Sequence, residues 1–422
     1  MKVKIKTQGN QITRVEGHGS LVLRFSGGKP SVVRWDITES PRFFEFMLKG
    51  RPWHDAHVLA SRICGICSVS HQFASLAATE EAFGIHVSEQ SILLRKLLYA
   101  GEIIESHMLH VYMLAIPDFF DAGSVFPLME TAKDVVMTGL RLKKLGNDIK
   151  ELIGGRAIHP QTPMVGGFGR LPGKQTLLSL KNLLNEAIPD LLTTVELFRG
   201  LSISQFRRDT EYISLTHPDE YALIRGLLYS TETGSAKLDE YADIAIEYIV
   251  PHSTAKFARH VRESYAVGAL SRININRKKL NPMAVQTADE LGIGTICSNP
   301  FVNTMAQIVE TVHEVEEAQD IVKKLLENGI AEEKLTVEPR AGRGIGAVEA
   351  PRGLLIHDYI YDSNGRIVSA NCVIPTNQNH ANIQYDLEEL VRINSDKNED
   401  DLRKLCEMLI RSYDPCISCS TH

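Results

Sequence analysis

Residues 94–115 read LRKLLYAGEIIESHMLHVYMLA, and this stretch decides the fold class. Its apolar side chains and one glycine fall on a single stripe of an α-helix. The positions on that stripe are Leu94, Leu97, Leu98, Gly101, Ile104, Met108, Val111 and Ala115. We predict a helix that begins near Ser88 and ends before Pro117. Similar stripes predict helices that end at Gly154-Gly155 and at Asn328-Gly329, and long helices of this kind indicate a bundle with a large shared core.

Both ends of the chain show the patterns of β-strands. Residues 20–25 and 31–38 are rich in strand formers and flank a turn with glycine and proline, which predicts a hairpin. A second hairpin is predicted for residues 354–361 and 366–373, because the four residues between them, DSNG, are a strong turn sequence. A last helix is predicted near residues 399–411.

The sequence therefore predicts an α+β fold that is mainly α, with a long-helix bundle core and small N-terminal and C-terminal β regions packed on it. We divide the chain into an N-terminal β region (1–40), a helical bundle core that carries the first cysteine pair (41–345), and a C-terminal hairpin, helix and tail that carry the second pair (346–422). The glycine-rich residues 342–346 are interpreted as a loop, because no strand leads into them with a helix following, as a dinucleotide-binding fingerprint requires.

Composition excludes several classes of partner. The chain has 422 residues, of which 43% are hydrophobic and 23% charged, as in ordinary globular proteins. Its net charge of -6, from 46 basic and 52 acidic residues, provides no basic field for nucleic acid. Runs of about 18 uncharged apolar residues are lacking, and the N-terminus alternates lysines with apolar residues. We therefore expect neither a direct membrane span nor a signal peptide in the chain.

Seven cysteines include two C-x-x-C pairs, Cys64 with Cys67 and Cys416 with Cys419, which lie at opposite ends of the chain. Each pair places two thiolates close enough to share a metal, and two pairs can supply four sulfur ligands. From spacing alone, a zinc site that pins the C-terminal tail to the body of the protein is an equal alternative. A redox dithiol fits less well, because neither pair lies in a thioredoxin-like βαβ pattern.

Two segments resemble the cysteine signatures of nickel-iron hydrogenase large subunits. They are Arg62-Ile63-Cys64-Gly65-Ile66-Cys67, with His71 four positions on, and Asp414-Pro415-Cys416-Ile417-Ser418-Cys419, followed by His422. The likeness extends to residues 14–18 (RVEGH), 41–45 (PRFFE) and 349–353 (EAPRG), so it covers nearly the whole chain. The set of motifs is highly specific, and the short chain with its PRFFE segment most resembles the cytoplasmic sulfhydrogenase and bidirectional NAD(P)-linked group.

The resemblance implies that the four cysteines hold a nickel-iron centre. Cys64 and Cys416 would be terminal nickel ligands, whereas Cys67 and Cys419 would bridge nickel to iron, and soft sulfur ligands suit both metals. The iron would carry carbon monoxide and cyanide ligands and leave an open position for dihydrogen. Cys416 is then the candidate first base in heterolytic cleavage.

By the same resemblance, Glu16 would relay the proton away from Cys416, and Arg352 would lie above the open metal face. Asp414 would hold Arg352 or fix the turn before Cys416. Without the motifs, Glu16 would be an ordinary partnered carboxylate and Arg352 an ordinary ion pair. Ser106 stands where many periplasmic hydrogenases have an aspartate, so we expect a lighter charge network around Arg352 than in those enzymes.

The resemblance also assigns residues around the ligands of iron. Thr376 would donate a hydrogen bond to cyanide, and Pro375 would form part of the apolar wall around carbon monoxide. His71 would donate to a bridging sulfur and so tune the electron density of the metals. On residue type alone, the Pro-Thr pair is only a turn element and the histidine is an ordinary structural one.

A second metal site is implied near the C-terminus. Glu45 and His422, with the backbone carbonyl of Cys372, would bind magnesium or another divalent ion. Precursors in the resembled family are cut after this histidine once nickel is loaded, so a chain that ends at His422 is expected to be the mature form.

We therefore expect the catalytic subunit of a nickel-iron hydrogenase, which cleaves dihydrogen reversibly to protons and electrons. The remaining cysteines, Cys297, Cys372 and Cys406, have no spacing for an iron-sulfur cluster. Electrons would pass to an iron-sulfur small subunit and, by resemblance, to further flavin and iron-sulfur subunits that reduce NAD(P), ferredoxin or another carrier. The expected location is the cytoplasm. The alternatives are a hydrogen-sensing regulatory subunit and a zinc-pinned structural subunit of a redox complex.

Overall fold

Long helices pack together at the centre of the molecule, as their apolar stripes predict. The computed structural model describes residues 10–27, 29–334 and 336–422. The helices in these ranges are α1 (Phe44–Leu48), α2 (Trp53–Ala60), α3 (Ser68–Phe83), α4 (Glu89–Leu109), α5 (Ile116–Phe119), α6 (Leu128–Thr131), α7 (Lys133–Gly154), α8 (Lys174–Glu186), α9 (Ile188–Arg199), α10 (Tyr241–Ile244), α11 (Ala269–Asn276), α12 (Pro282–Glu290), α13 (Asn303–Asn328), α14 (Pro375–Ile393), α15 (Glu399–Ser412) and α16 (Ile417–Ser420).

The predicted central helix is α4, which packs against both α7 and α13. Close approach to α7 depends on small residues, because a Cβ atom added at Gly146 would lie 2.5 Å from the carbonyl oxygen of Gly101. The predicted ends of α7 and α13 are confirmed, and α7 ends on Gly155 with a φ of 78°. Helix α4 begins just after Ser88 and ends at Leu109, before Pro117, as the sequence predicts. The sequence did not predict that helical backbone continues beyond α4, because residues 110–115 form a π-helix and Pro117 lies in the first turn of α5, where a proline is tolerated.

Strands surround the helices in several small sheets. Those in the described ranges are β1 (Asn10–Gln11), β2 (Gly19–Ser26), β3 (Lys29–Ile37), β4 (Pro163–Met164), β5 (Gly167–Phe168), β6 (Glu211–Thr216), β7 (Leu227–Ser230), β8 (Gly234–Ala236), β9 (Ile246–Tyr248), β10 (Phe257–Arg259), β11 (Tyr265–Ala266), β12 (Gly342–Ala350), β13 (Gly353–Tyr361) and β14 (Ile367–Val373). Both predicted hairpins are confirmed as the antiparallel pairs β2–β3 and β13–β14.

The interpretation of residues 342–346 as a loop is wrong, since they begin strand β12. This strand pairs with β13 and lies against α3. A Cβ atom at Gly344 would lie 2.0 Å from the carbonyl oxygen of Ala78, and one at Gly346 would lie 2.0 Å from that of Ala74. The glycines therefore let a strand approach a helix backbone closely, and their pattern resembles that of a loop only in the sequence.

The observed architecture is an α+β fold that is mainly α, and this prediction from the sequence is confirmed. Within residues 41–345, however, strands β4 to β11 interrupt the helices, and the four-stranded sheet has the order β11-β6-β7-β8. The predicted boundary at 345/346 falls inside β12. The division into three regions stays a prediction. Among the described helices, none combines the length and the apolar character needed to cross a membrane.

Candidate metal centre

Two short segments from opposite ends of the chain meet in the interior. Cys64 lies in the loop before α3, and Cys67 is the residue immediately before that helix, while Cys416 precedes α16 and Cys419 lies within it. The four sulfur atoms all lie within 4.8 Å of one another. Sulfur-to-sulfur distances are 3.7 Å for Cys64 and Cys416, 3.6 Å for Cys67 and Cys419, and 2.50 Å for Cys416 and Cys419. None of the four residues is more than 5% exposed.

The N-terminal segment holds the C-terminal tail in this position. Glu16 forms a parallel bridge with Cys416, and the backbone N–H of Ile417 donates to the Glu16 carbonyl at 3.0 Å. The backbone N–H of Ser418 donates to the Glu16 carboxylate at 3.0 Å, and the Ser418 hydroxyl donates to the same group. Gly17 has a φ of 83°, and a Cβ atom there would lie 2.8 Å from that of Ile417. The glycine of the RVEGH motif therefore permits this close approach.

Hydrogen bonds favour the thiolate form of Cys64. The side chain and then the backbone N–H of Cys67, together with the charge of Arg352, lower the pKa of the Cys64 thiol against the cost of its burial. The backbone nitrogens of Ile66 and Cys67 lie 3.3 and 3.4 Å from the Cys64 sulfur. Since the thiolate is the form that binds a metal, this environment suits a ligand.

Arg352 is buried and is held on two sides. Its Nε donates to the carbonyl of Asp414 at 2.7 Å, and its Nη2 donates to the carboxylate of Asp414 at 2.9 Å. Its Nη1 donates to the hydroxyl of Ser106 at 3.2 Å. Burial lowers the pKa of Arg352, but Asp414 and the cysteines raise it above its ordinary value, so the guanidinium stays charged. Asp414, with a φ of 50°, also forms the turn before Cys416.

A small cavity lies beside the sulfurs. Its lining includes Cys67, His71, Arg352, Pro375, Thr376, Cys416 and Cys419. The Thr376 hydroxyl oxygen accepts the backbone N–H of Cys416 at 3.0 Å, a contact that does not use the hydroxyl hydrogen. Pro375 is the first residue of α14 and adds an apolar surface without an N–H donor.

His71 contacts a residue that the sequence analysis did not identify. Its Nδ1 lies 3.2 Å from Nε2 of His357 on β13, and Nδ1 of His357 lies 2.6 Å from the hydroxyl of Tyr359. Burial lowers the pKa of His357 to about 3, so it is neutral at pH 7. The sequence does contain a periodic pattern that could have indicated this contact. One face of strand β13 carries His357, Tyr359 and Tyr361, at every second residue. One face of helix α3 carries His71, Ser75 and Thr79, at every fourth residue.

A chain of hydrogen bonds through Trp35, His380 and Ser420 also holds the backbone of Cys416. No sequence motif indicates these contacts. Trp35 Nε1 donates to Nδ1 of His380 at 3.1 Å, so His380 carries its hydrogen on Nε2, which donates to the Ser420 hydroxyl at 3.2 Å. Ser420 in turn donates to the carbonyl of Cys416 at 3.2 Å. Trp35 and His380 are 345 positions apart, so only the folded chain brings them together.

A second cluster lies close to the last residue. A carboxylate oxygen of Glu45, the sulfur of Cys372 and a ring nitrogen of His422 lie within 4.8 Å of one another. One Glu45 oxygen accepts the backbone N–H of Cys372 at 2.9 Å and lies 3.2 Å from Nε2 of His422. Burial raises the pKa of Glu45, but His422, Cys372 and Lys256 lower it to about 2, so the carboxylate is ionised and suited to a hard cation.

The comparisons with known proteins agree with this geometry. Residues 42–138 and 247–422 match the family described as nickel-dependent hydrogenase. The chain is 34% identical to sulfhydrogenase 1 subunit alpha of Pyrococcus furiosus, over 98% of this chain and 97% of that protein. It is 27% identical to the NAD-reducing hydrogenase HoxS subunit beta of Cupriavidus necator, over 97% and 93%.

Structural similarity extends over the same length. The crystal structure of an NAD+-reducing NiFe-hydrogenase in the H2-reduced state has a TM-score of 0.87 and 25% identity, with 98% of each chain covered. Together these findings confirm the expected fold and enzyme class, and they do not favour the sensor or zinc-pinned alternatives. This chain belongs to the nickel-dependent hydrogenase family, as the catalytic large subunit of a nickel-iron enzyme that acts on dihydrogen.

Proposed function

We propose that Cys64, Cys67, Cys416 and Cys419 hold the nickel-iron centre and that dihydrogen is cleaved in the cavity beside them. The observation that carries this proposal is the set of four buried sulfurs within 4.8 Å, drawn from segments 352 positions apart. Four soft sulfur donors suit nickel and iron, whereas the packing of an ordinary hydrophobic core does not require four cysteines in contact.

When bound, the centre, with carbon monoxide and cyanide on iron, would supply the Lewis-acid and redox chemistry that heterolytic cleavage needs. Arg352 contributes a fixed positive charge, because its ion pair with Asp414 at 2.9 Å keeps the guanidinium in place. The Thr376 hydroxyl has a hydrogen to donate to a diatomic ligand, and Pro375 offers an apolar wall. His71, kept neutral by burial and oriented by His357, would donate to a bridging sulfur.

The protein would carry the proton away in two steps. The sulfur of Cys416 would accept it first, and the carboxylate of Glu16 would take it next. Glu16 is half-buried and anchored to the two residues that follow Cys416, so it stands between the buried sulfur and the surface. A carboxylate in that position is a suitable general base.

A divalent cation, magnesium in our proposal, would bind Glu45, His422 and the carbonyl of Cys372. Support for it comes from the ionised Glu45 carboxylate next to the imidazole of the last residue. The ion would link the C-terminal tail to β14, because His422 lies in the tail and Cys372 lies in that strand. This link would also help to hold Cys419, which is three residues before His422.

The electron acceptor would be an iron-sulfur small subunit that docks near the first cysteine pair. Gly65, between Cys64 and Cys67, is exposed, and Ile158 beside it is 48% exposed. Phe43 and Phe46, which follow the Arg42 that contacts the Ile63 carbonyl, are 65% and 75% exposed. Exposed apolar side chains in one area are typical of an interface.

Further flavin and iron-sulfur subunits would reduce NAD(P), ferredoxin or another carrier. The names of the relatives support a multi-subunit enzyme, since they are alpha or beta subunits and one is NAD-reducing. The cytoplasmic location stays a prediction.

Metal analysis combined with a hydrogen assay tests the proposed function. The purified protein, with the subunits that accompany it, should contain nickel and iron and should reduce methyl viologen with dihydrogen. Zinc without nickel or iron would contradict the metal site. Nickel and iron without turnover would indicate a sensor and contradict the catalytic role.

A further inference from the structure

Helix α3 begins directly at a proposed metal ligand and lacks a cap of its own. Cys67 occupies the N-cap position, and its side chain makes no capping hydrogen bond to the described part of the chain. The first N–H groups of a helix need an acceptor, which the N-cap side chain commonly provides. A sulfur that binds a metal is not available for that purpose.

The missing cap comes from another helix. The carboxylate of Glu102, on α4, accepts the backbone N–H of Val69 at 2.6 Å and that of Ser70 at 2.9 Å. The Ser70 hydroxyl also donates to Glu102 and lies 2.9 Å from the hydroxyl of Tyr99. These contacts place an acidic group at the positive end of a 16-residue helix.

Burying the Glu102 carboxylate costs free energy, so its hydrogen-bond partners indicate why a carboxylate is present at this position. It is 0% exposed, and burial raises its pKa to about 7, against the charge of Lys150 and the three donors in α3. An apolar side chain at this position would avoid that cost but would leave the N–H groups of Val69 and Ser70 without an acceptor. The carboxylate therefore has a specific task at the start of α3.

The cap that Glu102 provides affects the proposed metal centre because it lies close to Cys67 along helix α3. Glu102 binds N–H groups two and three residues after Cys67, so its charge lies within about one helical turn, or ~5.4 Å of rise, of that ligand. In its ionised form, which predominates above about pH 7, the Glu102 carboxylate raises the electron density that the sulfur can pass to a metal.

We propose that Glu102 is a positioning residue for the nickel-iron centre, which caps α3 from α4, fixes the turn that carries Cys67 and, when ionised, places a negative charge near its sulfur. The inference rests on the proposed function of the four cysteines. Glu102 itself contacts neither dihydrogen nor the metals in this account.

The test compares Glu102→Gln with Glu105→Gln in the purified holoenzyme. Glu105 is a matched control, because it is a buried carboxylate on the same helix that pairs with Lys143 and Lys150 of α7 at 2.8 and 3.4 Å. The measurements are nickel content and the infrared bands of carbon monoxide and cyanide on iron, made at about pH 9, where the Glu102 carboxylate is ionised. Glu102→Ala is added to remove the cap completely.

We expect the Glu102→Gln bands to lie at higher wavenumber than in the wild type, with a smaller change in Glu105→Gln. Glu102→Ala should retain about fivefold less nickel, the size expected for a lost cap. If Glu102→Ala is insoluble, the Glu102→Gln bands decide the question. Wild-type bands in Glu102→Gln, or equal shifts in both glutamine variants, would overturn the inference. A wild type without such bands would instead overturn the proposed function on which it rests.

Discussion

Several single residues that line the cavity are held in place by hydrogen bonds to other parts of the chain. Arg352 is held by Asp414 and Ser106, and Thr376 accepts the N–H of Cys416 while its hydrogen remains for another acceptor. His71 is oriented in the same way by His357. Such contacts set orientation and protonation, which are what a metal ligand sphere requires.

Replacing Glu16 with glutamine tests the proton relay. Glutamine keeps the size, can accept the Ser418 N–H on its oxygen and can donate to the Ser418 hydroxyl from its NH2 group, but it has no site for the proton. Nickel and iron should therefore stay while the rate of deuterium–proton exchange falls by about 100-fold. Isotope exchange followed by mass spectrometry measures this rate. Glu39→Gln, which changes the carboxylate beside His18, is the control. An unchanged rate in Glu16→Gln would remove Glu16 from the relay.

Arg352 donates two hydrogen bonds to Asp414, and this pair of contacts gives a second prediction about a single residue. Lysine keeps the charge but cannot contact both the carbonyl and the carboxylate of Asp414, so turnover should fall by about tenfold or more. Viologen reduction and nickel content, measured together, should show lower activity at an unchanged metal content. Arg343→Lys, which alters an ion pair with Asp358 away from the cavity, should have little effect. Equal activity in Arg352→Lys and the wild type would contradict the assigned role.

The motifs identified the residues that we propose as metal ligands, proton relay and fixed charge, but not the residues that support them. Cys64, Cys416, Glu16 and Arg352 were found because their neighbours form recognisable short motifs. Glu102 and His380 were not found, because their roles come from helix and strand pairings between distant parts of the chain. A glutamate in an apolar helix gives no local sign that it caps a different helix.

At the scale of elements, α3 is the central support of the site, since it begins at Cys67 and packs along β12 and β13. Four residues of helix rise about 6 Å and two residues of strand about 6.6 Å, so polar side chains on the two elements stay matched. His71 meets His357 and Thr79 meets Tyr361 at 2.8 Å by this matching. The start of α3 is therefore fixed by contacts along its length.

Adding a methyl group between α3 and β12 should disturb the site from a distance. Gly344→Ala would place a Cβ atom 2.0 Å from the Ala78 carbonyl oxygen, so β12 must move away. We expect a loss of about 1–3 kcal/mol in unfolding free energy and a lower nickel content. Gly123→Ala is the control, since its Cβ atom would meet nothing within 4 Å among the described residues. Equal thermal stability of the two variants would contradict the packing of β12 on α3.

An ion-pair cluster joins α4, α13 and the loop after β6, and it gives a prediction about pH. Burial raises the pKa of Glu220, but hydrogen bonds from Arg225 and Lys96 lower it to about 2, from an ordinary value of 4.5. A carboxyl with a lowered pKa in the folded state stabilises the protein fully above about pH 4.5, and the effect is lost as the pH falls toward 2.

The corresponding measurement is urea unfolding of Glu220→Gln and the wild type at pH 7 and pH 3.5. The variant should be less stable by about 1 kcal/mol at pH 7, with a smaller difference at the lower pH. Asp289→Asn is a suitable comparison, because the Asp289 side chain is 68% exposed and its ion pair with Arg277 should contribute little. A difference for Glu220→Gln that does not change with pH would contradict the lowered pKa.

The long helices could be predicted and the short strands could not, for physical reasons. Periodicity defines α4, α7 and α13 because a buried helix face repeats over many residues. Strands β6 to β11 are short, and their pairings, such as parallel β11 with β6, depend on contacts that local patterns do not contain. The glycines of β12 were misinterpreted because close packing and loop flexibility favour the same residue type.

At the scale of the whole molecule, the proposed metal site predicts that folding and metal binding depend on each other. The proposed ligands come from both ends of the chain, and Glu16, His380 and Arg42 hold the tail from three different parts of the fold. A complete ligand set is therefore present only when the tail is docked. Substituting Cys416 should thus remove both metals, whereas Cys297→Ser, outside the cluster, should leave them unchanged. Nickel and iron analysis of the two purified variants checks this, and normal nickel in Cys416→Ser would contradict it.

Nickel X-ray absorption of the purified holoenzyme tests the central claim most directly. We predict a nickel ion bound by four sulfur atoms, with iron as a near neighbour, and a loss of this signal in Cys64→Ser as well as in Cys416→Ser. A nickel ion without four sulfur neighbours, or a spectrum that keeps its sulfur shell when either cysteine is replaced, would contradict a centre built from both ends of the chain.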